Sequence, residues 1–302
     1  MRLAGGGGRS STMRDDTKLV KKVKRLLRRL GYPRWLHHFG PKKYEFLDHL
    51  CALLIRAFGR LSYRRVVQLM DLLGRTCPRK SALRDTAAKL NAGFWNRVLK
   101  ATSGIDPIVA IDSTGLARTN PSYHYLRRID GRIPRIGVKL SVAMGTRRKK
   151  YRAAKIRVRP AADIRDASYL IKQGGGKITV ADKAYSAERL YHEANEQGIL
   201  LMVPPKRNAR RGRYRKKMLK LFRLRTYHRR EMVESGNSAI KHKYGGSVSS
   251  RSVRTIRTEV YCRLACNNLF SWLTRLSGQR RVVHNVYIDY RLTCSSWTSR
   301  IK

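Results

Sequence analysis

The stretch IDPIVAID, Ile105–Asp112, decides how the rest of this 302-residue chain is read. It is a short β-branched run that ends on an acid, and Ser113, Thr114 and Gly115 form an expected turn after it. Just beyond it lies a basic loop with Arg127 and Arg128. Then GVKLSVAMG (137–145) and KKYRAAKIRVRP (149–160), joined by the turn signal GTRR, predict an antiparallel hairpin beside the first strand. A helix is expected over 163–172, then a second short strand ending in an acid, KITVAD (177–182). A helix from Ser186 to Gln197 and a proline-stopped strand, GILLMVPP (198–205), complete the alternation.

Strand, hairpin, helix, strand, helix, strand, helix is the order of a ribonuclease H-like α/β domain, a mixed sheet with helices on both faces. The expected fold class is therefore α/β, with this domain over 105–276. Upstream, residues 18–104 predict a mainly helical N-terminal domain that docks DNA or a second subunit. Its expected helices are Lys18–Leu30, one starting at Pro41 and running to Phe58, Tyr63–Leu73 capped by Ser62, and one over 81–90, with another short helix after it. The pair around Gly74, with Lys80, Arg84 and Lys89 near its second member, is compatible with a helix-turn-helix. Residues 1–17 read as a flexible leader and 277–302 as a tail with one candidate strand, VYIDY.

Charge names the class of partner. The chain carries 68 Lys and Arg against 19 Asp and Glu, a formal +49. Such a field destabilises a compact chain unless a polyanion neutralises it, so nucleic acid is the expected partner. No apolar run approaches the roughly 20 residues of a spanning helix. Five cysteines without CxxC or Cys/His spacing point to a reducing compartment and away from a zinc site. From Lys206 to Lys220 nine of fifteen residues are basic, which predicts a flexible basic loop next to the acids.

Acids this scarce are informative where they fall. Asp112 and Asp182 each end an apolar strand, and a third acid lies in RTYHRREMVESGNSAIKHKY, 225–244. On a regular helix Tyr227, Arg230, Glu234 and Lys241 fall at roughly 0°, 300°, 340° and 320°, one narrow face. Gly236 is the expected weak point of that helix. Glu231 points roughly 60° away from Glu234. Thr258–Leu276 then reads as an amphipathic helix with Val260, Leu264, Leu269 and Leu273 inward. Three carboxylates that converge on divalent ions roughly 3.5–4 Å apart are what two-metal phosphodiester cleavage requires. Asp163 and Asp166, by contrast, read as helix N-terminal caps or dipole partners.

These residues resemble a known family. AIDSTG around Asp112, VADKAY around Asp182 and the spacing Tyr227-x2-Arg230-x3-Glu234-x6-Lys241 are similar to the DDE transposases of bacterial and archaeal insertion sequences, in the branch with a Tyr-Arg-Glu-Lys signature. The resemblance runs from about Ile108 to Phe270 and takes in GVKLSV, RPAADIRDAS, VPPKRN and EVYCRLACNNLF. It implies that Asp112, Asp182 and Glu234 bind two Mg²⁺ ions, with Mn²⁺ as a substitute. It also implies that Tyr227, Arg230 and Lys241 hold element-end DNA near the cut. Lys206, Arg207, Arg127, Arg128 and Lys139 complete the expected DNA contacts.

The implied reaction is cleavage at the ends of an insertion sequence and strand transfer into target DNA. The implied partners are double-stranded DNA and a second copy of the chain, in a prokaryotic cytoplasm with the nucleoid. Two alternatives stay open: a nuclease or resolvase that cuts without joining, and a domesticated, non-catalytic DNA-binding protein. Ala184 stands where the family often has glycine. The 51 residues between Asp182 and Glu234 leave no room for the β-rich insertion of some relatives.

Overall fold

Five strands, β1 (Ile108–Ala117), β2 (Gly137–Gly145), β3 (Lys150–Arg157), β4 (Ile178–Ala181) and β5 (Leu200–Met202), make one sheet in the order β3-β2-β1-β4-β5. β2 pairs antiparallel with both β1 and β3, whereas β4 and β5 run parallel to β1. This is a computed structural model, and it describes residues 18–36, 42–118, 137–159, 161–204 and 211–270. The hairpin and the two parallel strands follow the expected order. The first strand does not end where expected: Ser113–Ala117 continue the ladder, from Ser113↔Ser141 to Ala117↔Gly137. Their backbone groups find partners on β2 and, at Ala117, on Gly246 and Val248, so no turn forms after Asp112.

The helices are α1 (Lys18–Arg29), α2 (Phe46–Phe58), α3 (Tyr63–Leu72), α4 (Lys80–Lys89), α5 (Ala92–Ser103), α6 (Ile164–Gly174), α7 (Glu188–Glu196), α8 (Arg213–Leu221), the single turn α9 (Leu224–Tyr227), α10 (Glu231–Tyr244) and α11 (Val253–Phe270). Local chemistry sets several ends. Ser62 Oγ accepts the Arg65 N–H at 3.2 Å and opens α3. α2 starts at Phe46 rather than at Pro41, which lies outside the described residues, because Glu45 and Asp48 cap each other's backbone there.

The basic segment expected as a loop is partly helix. The Glu188 carboxylate of α7 accepts the backbone N–H groups of Tyr214 and Arg215, capping α8, and Met218 is buried against β5 and α7. Lys206 and Arg207 lie outside the described residues, as do Arg127 and Arg128 and the VYIDY segment.

Two apolar layers sandwich the sheet. Val109, Ile111, Ala143 and Ala153 pack on α6, α7 and α8 on one face. Ala110, Val142, Met144, Tyr151 and Val180 pack on α5, α10 and α11 on the other. The second layer is continuous with α1 and α2, so the helices expected as an N-terminal unit share their core with the sheet. α11 is the pin. It was expected as a one-sided amphipathic helix, yet it is buried on nearly every side, between α2, α4 and α5 and β3. Among the described residues no helix is long and apolar enough to cross a membrane.

Candidate active site

The parallel register brings two of the three acids level. β1 and β4 pair from Ile108↔Ile178 to Ile111↔Ala181, so the next residue on each strand is Asp112 and Asp182. Neighbouring strands lie about 4.8 Å apart, which puts these two residues side by side at the same level of the sheet. The period-2 alternation turns Asp112, after Ala110, to the face covered by α10. Asp182 caps the next turn, its Oδ1 accepting the Lys183 N–H at 2.7 Å.

α10 crosses that face and stays unbroken through Gly236, the expected weak point. Glycine is required there for approach, since a Cβ would sit 2.7 Å from Met144 Sδ and 3.0 Å from Tyr151 Oη. The closeness lets Asn237 reach the strand: its Nδ2 donates to Asp112 Oδ2 at 2.9 Å. Asn237 is 5 % exposed, and its Oδ1 is buried with no hydrogen-bond partner. Burial pushes the Asp112 carboxyl above its ordinary range, and the nearby Glu234 charge adds to that. The Ser113 N–H, Asn237 and Arg230 offset part of the rise.

Glu234 turns to Arg230, with which it forms an ion pair one turn away. Arg230 also acts electrostatically on Asp182 and on Asp112. Desolvation lowers the guanidinium's pKa, but the Glu234 hydrogen bond and charge outweigh it, aided by Tyr227 and Asp182, and the net direction is up. The arginine is thus the cation among the three acids. Tyr227 lies beside it, with the ring centroid 6.0 Å from Arg230 Cζ. Tyr227 and Arg230 are not on the regular helix assumed from spacing, because His228–Arg230 form a tighter 3₁₀ turn before α10. Glu231 pairs with His228 at 3.7 Å, away from the acids.

Behind β1 is a second polar layer that sequence reasoning missed. Ser113 faces the opposite side from Asp112, and its Oγ bonds Ser141 Oγ at 3.0 Å and Tyr185 Oη at 3.1 Å. Ser141 donates in turn to Asp166 Oδ2 at 3.1 Å. Asp166 is fully buried and held by Arg157 through contacts of 2.6–3.0 Å, with Lys155 at 3.6 Å. It is therefore not the cap expected from its position at the start of α6. Burial raises its pKa, but the Arg157 hydrogen bonds and charge win, and the group lies below its ordinary range. The layer ties β1, β2 and the turn after β4, through Tyr185, to one another.

The signal for Asn237 was present in its spacing, three residues after Glu234 on the same helix. Asp166 gave only its place in a family-like segment.

The remaining expected contacts fall as follows. Lys241 is on the last turn of α10 and partly exposed. Lys139 is engaged: its ammonium donates to the Ala161 carbonyl and pairs with Asp163 at 2.6 Å. Asp163 makes that pair instead of an N-cap bond. Among the described residues no three His, Cys, Asp or Glu side chains stand close enough together to hold a metal ion; Glu234 is paired with Arg230 and Asp182 with the Lys183 N–H.

Comparison with known proteins gives one strong result. The profile of the transposase DDE domain matches residues 103–269. No curated protein matches. Among solved structures, a piggyBac transposase synaptic complex with hairpin DNA is similar over 85 % of this chain and 72 % of that one, at 12 % identity and a TM-score of 0.42. The profile match covers more than half of the 302 residues and contains Asp112, Asp182 and Glu234, so the chain belongs to the transposase DDE domain family.

Proposed function

We propose that this chain is an insertion-sequence transposase that cuts DNA at element ends and transfers the strands into target DNA, in the branch with the Tyr-Arg-Glu-Lys signature. The supporting observation is the β1/β4 register, which levels Asp112 with Asp182 under the helix that carries Glu234. We read the sheet as ribonuclease H-like and the host as prokaryotic.

The donor set suits Mg²⁺. Asp112, Asp182 and Glu234 are hard oxygen donors, and the buried, unpartnered Asn237 Oδ1 is another oxygen at the site's edge. A divalent ion held there supplies charge to stabilise the attacking and leaving oxygens of a phosphodiester. Asn237 fixes the orientation of Asp112, and Glu234 lies in the first turn of α10. Arg230 leaves Glu234 for a DNA phosphate in the loaded site, a bidentate partner suited to its fork. Water attacks phosphorus and the P–O bond to the 3′-oxygen breaks, leaving a 5′-phosphate and a 3′-hydroxyl. That hydroxyl then attacks a target phosphorus, and the target's own P–O bond to its 3′-oxygen breaks, that oxygen taking up the proton released. Lys241 and Tyr227 hold the strand at the cut. Two element ends in one complex call for a dimer.

The test is joining of a labelled element-end duplex to a plasmid in Mg²⁺ or Mn²⁺. Asp112→Asn, Asp182→Asn and Glu234→Gln should each end joining while DNA binding persists. Joining that survives all three overturns the site; cutting without joining by the wild type favours a nuclease, and binding alone a non-catalytic protein.

A further inference from the structure

At the far end of β1 is a cleft of about 780 Å³ that the transposition chemistry does not use. Its walls come from the end of α2, the end of β1, the segment after α10 and the middle of α11. They carry Arg56, Arg60, Arg118, Arg251 and Arg263 around one acid, Glu259.

The floor is a built charge cluster. Glu259 is 4 % exposed and accepts from both buried arginines, Arg56 at 3.4 Å and Arg263 at 2.6 Å. It also accepts the backbone N–H groups of Ser249 and Ser250 at 3.0 and 2.8 Å, and the Ser249 hydroxyl at 3.2 Å. One carboxylate with its acceptor sites filled faces two buried guanidiniums, so one positive charge is left over inside the protein. Arg56 Nε is buried with no hydrogen-bond partner. Neutral groups also meet these cations: Arg263 donates to the Gly245 and Ser247 carbonyls at 2.9 and 2.7 Å, and Arg56 Cζ lies 4.0 Å from the Tyr63 ring centroid. The net positive charge favours an anion at the cleft.

The rim adds three more cations. Arg60 reaches the His242 and Lys243 carbonyls at the end of α10 from a left-handed backbone, φ 53°. Arg118 donates to the Arg251 carbonyl at 3.3 Å, and Arg251 itself is exposed. Both line the opening. Backbone bonds of 2.8 Å from Ala117 to Gly246 and from Val248 to Ala117 clip the Ser247–Arg251 segment to β1.

The cleft has a fixed relation to the carboxylates. Asp112, Thr114, Leu116 and Arg118 alternate onto the same face of β1, six residues or about 20 Å from first to last. α10 lies along that face, with Asn237 midway along it bonded to Asp112 and the segment after its end bonded to Ala117. Duplex phosphates on one strand repeat every ~3.4 Å along the axis.

We propose that the arginine cleft is a phosphodiester-binding subsite that grips the duplex backbone about six base pairs from the bond being cut. It rests on the transposase reading for that register, not for the binding itself.

The test is the salt dependence of binding of the full chain to a 30-base-pair duplex, by fluorescence anisotropy. Arg118→Ala/Arg251→Ala should lower the slope of log K against log salt by about 1.8, two phosphate contacts at ~0.9 each. The charge-preserving Arg118→Lys/Arg251→Lys should restore it. Arg165→Ala/Lys172→Ala, exposed bases on α6 across the sheet, should leave it at the wild-type value.

An unchanged slope in the cleft variant, or an equal fall in the α6 control, overturns the subsite, because the general field then accounts for the binding. The two proposals separate cleanly. A slope change without metal-dependent cutting removes the cleavage reading and keeps the subsite; cutting without a slope change does the reverse.

Discussion

Two groups of carboxylates sit on the same side of the sheet and are built in opposite ways. Glu259 is buried and surrounded by donors on both oxygens, and burial, which alone would raise its pKa, is outweighed by Arg56, the Ser249 and Ser250 bonds and Arg263, so it lies below its ordinary range. Asp112 has few donors, and burial with the Glu234 charge nearby lifts it above its range. The first arrangement is satisfied and rigid. The second holds like charges near one another with a single arginine among them, which favours the fold little and leaves acceptor oxygens for a cation. A chain with only 19 acids uses some as structural anions and keeps others under-satisfied.

The largest expected effects separate the two groups by what is lost. Asp112→Asn, Asp182→Asn or Glu234→Gln should take joining below detection and leave thermal unfolding almost unchanged. Asp112→Asn should even raise Tm slightly, since a neutral side chain removes a buried charge beside Glu234. A Tm fall of many degrees in any of these would erase the distinction between the groups.

Glu259→Gln should do the converse. Breaking a buried ion cluster by removing one partner costs about 3–5 kcal/mol, which at ~2–4 °C per kcal/mol lowers Tm by roughly 10 °C. Because the folded pKa is depressed, the contribution of Glu259 is present above the unfolded value of about 4.3 and is lost as pH falls through the folded value. The wild type should therefore lose stability on acidification more steeply than Glu259→Gln. Parallel pH curves in thermal melts would break this account.

How much of this was legible depended on the length scale of the interaction. The strand order could be read because hydrophobic alternation is a local signal. The length of β1 could not, since Ser113–Ala117 are strand only by pairing with residues twenty or more positions away. α8 was read as loop for a similar reason: its cap is Glu188, supplied by another helix. Asn237 reaches Asp112 across 125 residues, and only the packed α10 makes that contact. The near-complete burial of α11 follows from its place between α2, α4 and α5 and strand β3, and its own polar residues, Glu259 and Arg263, masked that.

A smaller effect tests the approach of α10 to the sheet. Gly236→Ala gains about 1 kcal/mol of helix propensity. Its Cβ, however, would press on Met144 Sδ at 2.7 Å and Tyr151 Oη at 3.0 Å, both in the core. Overpacking of that kind costs about 1–3 kcal/mol, so the steric term wins and Tm should fall by a few degrees. Joining should fall more than stability, because the displaced helix carries both Glu234 and Asn237. A variant more stable than wild type would show that the helix can shift without cost.

The smallest stability change belongs to Arg230→Ala. The Glu234 side chain is 48 % exposed and Arg230 21 %, so solvent screens the pair and its loss should cost no more than about 1 kcal/mol. The informative readout is metal binding. Arg230 supplies the positive charge among Asp112, Asp182 and Glu234, and it holds Glu234 out of a three-carboxylate arrangement. Removing it should free Glu234 and tighten Mn²⁺ binding, followed by electron paramagnetic resonance, by roughly five-fold, the equivalent of about 1 kcal/mol. Binding to duplex DNA should weaken in the same variant, since the arginine no longer reaches a phosphate. Mn²⁺ affinity that stays constant or falls would mean that Arg230 does not compete with the ion, and Glu234 would lose its place beside Asp112 and Asp182.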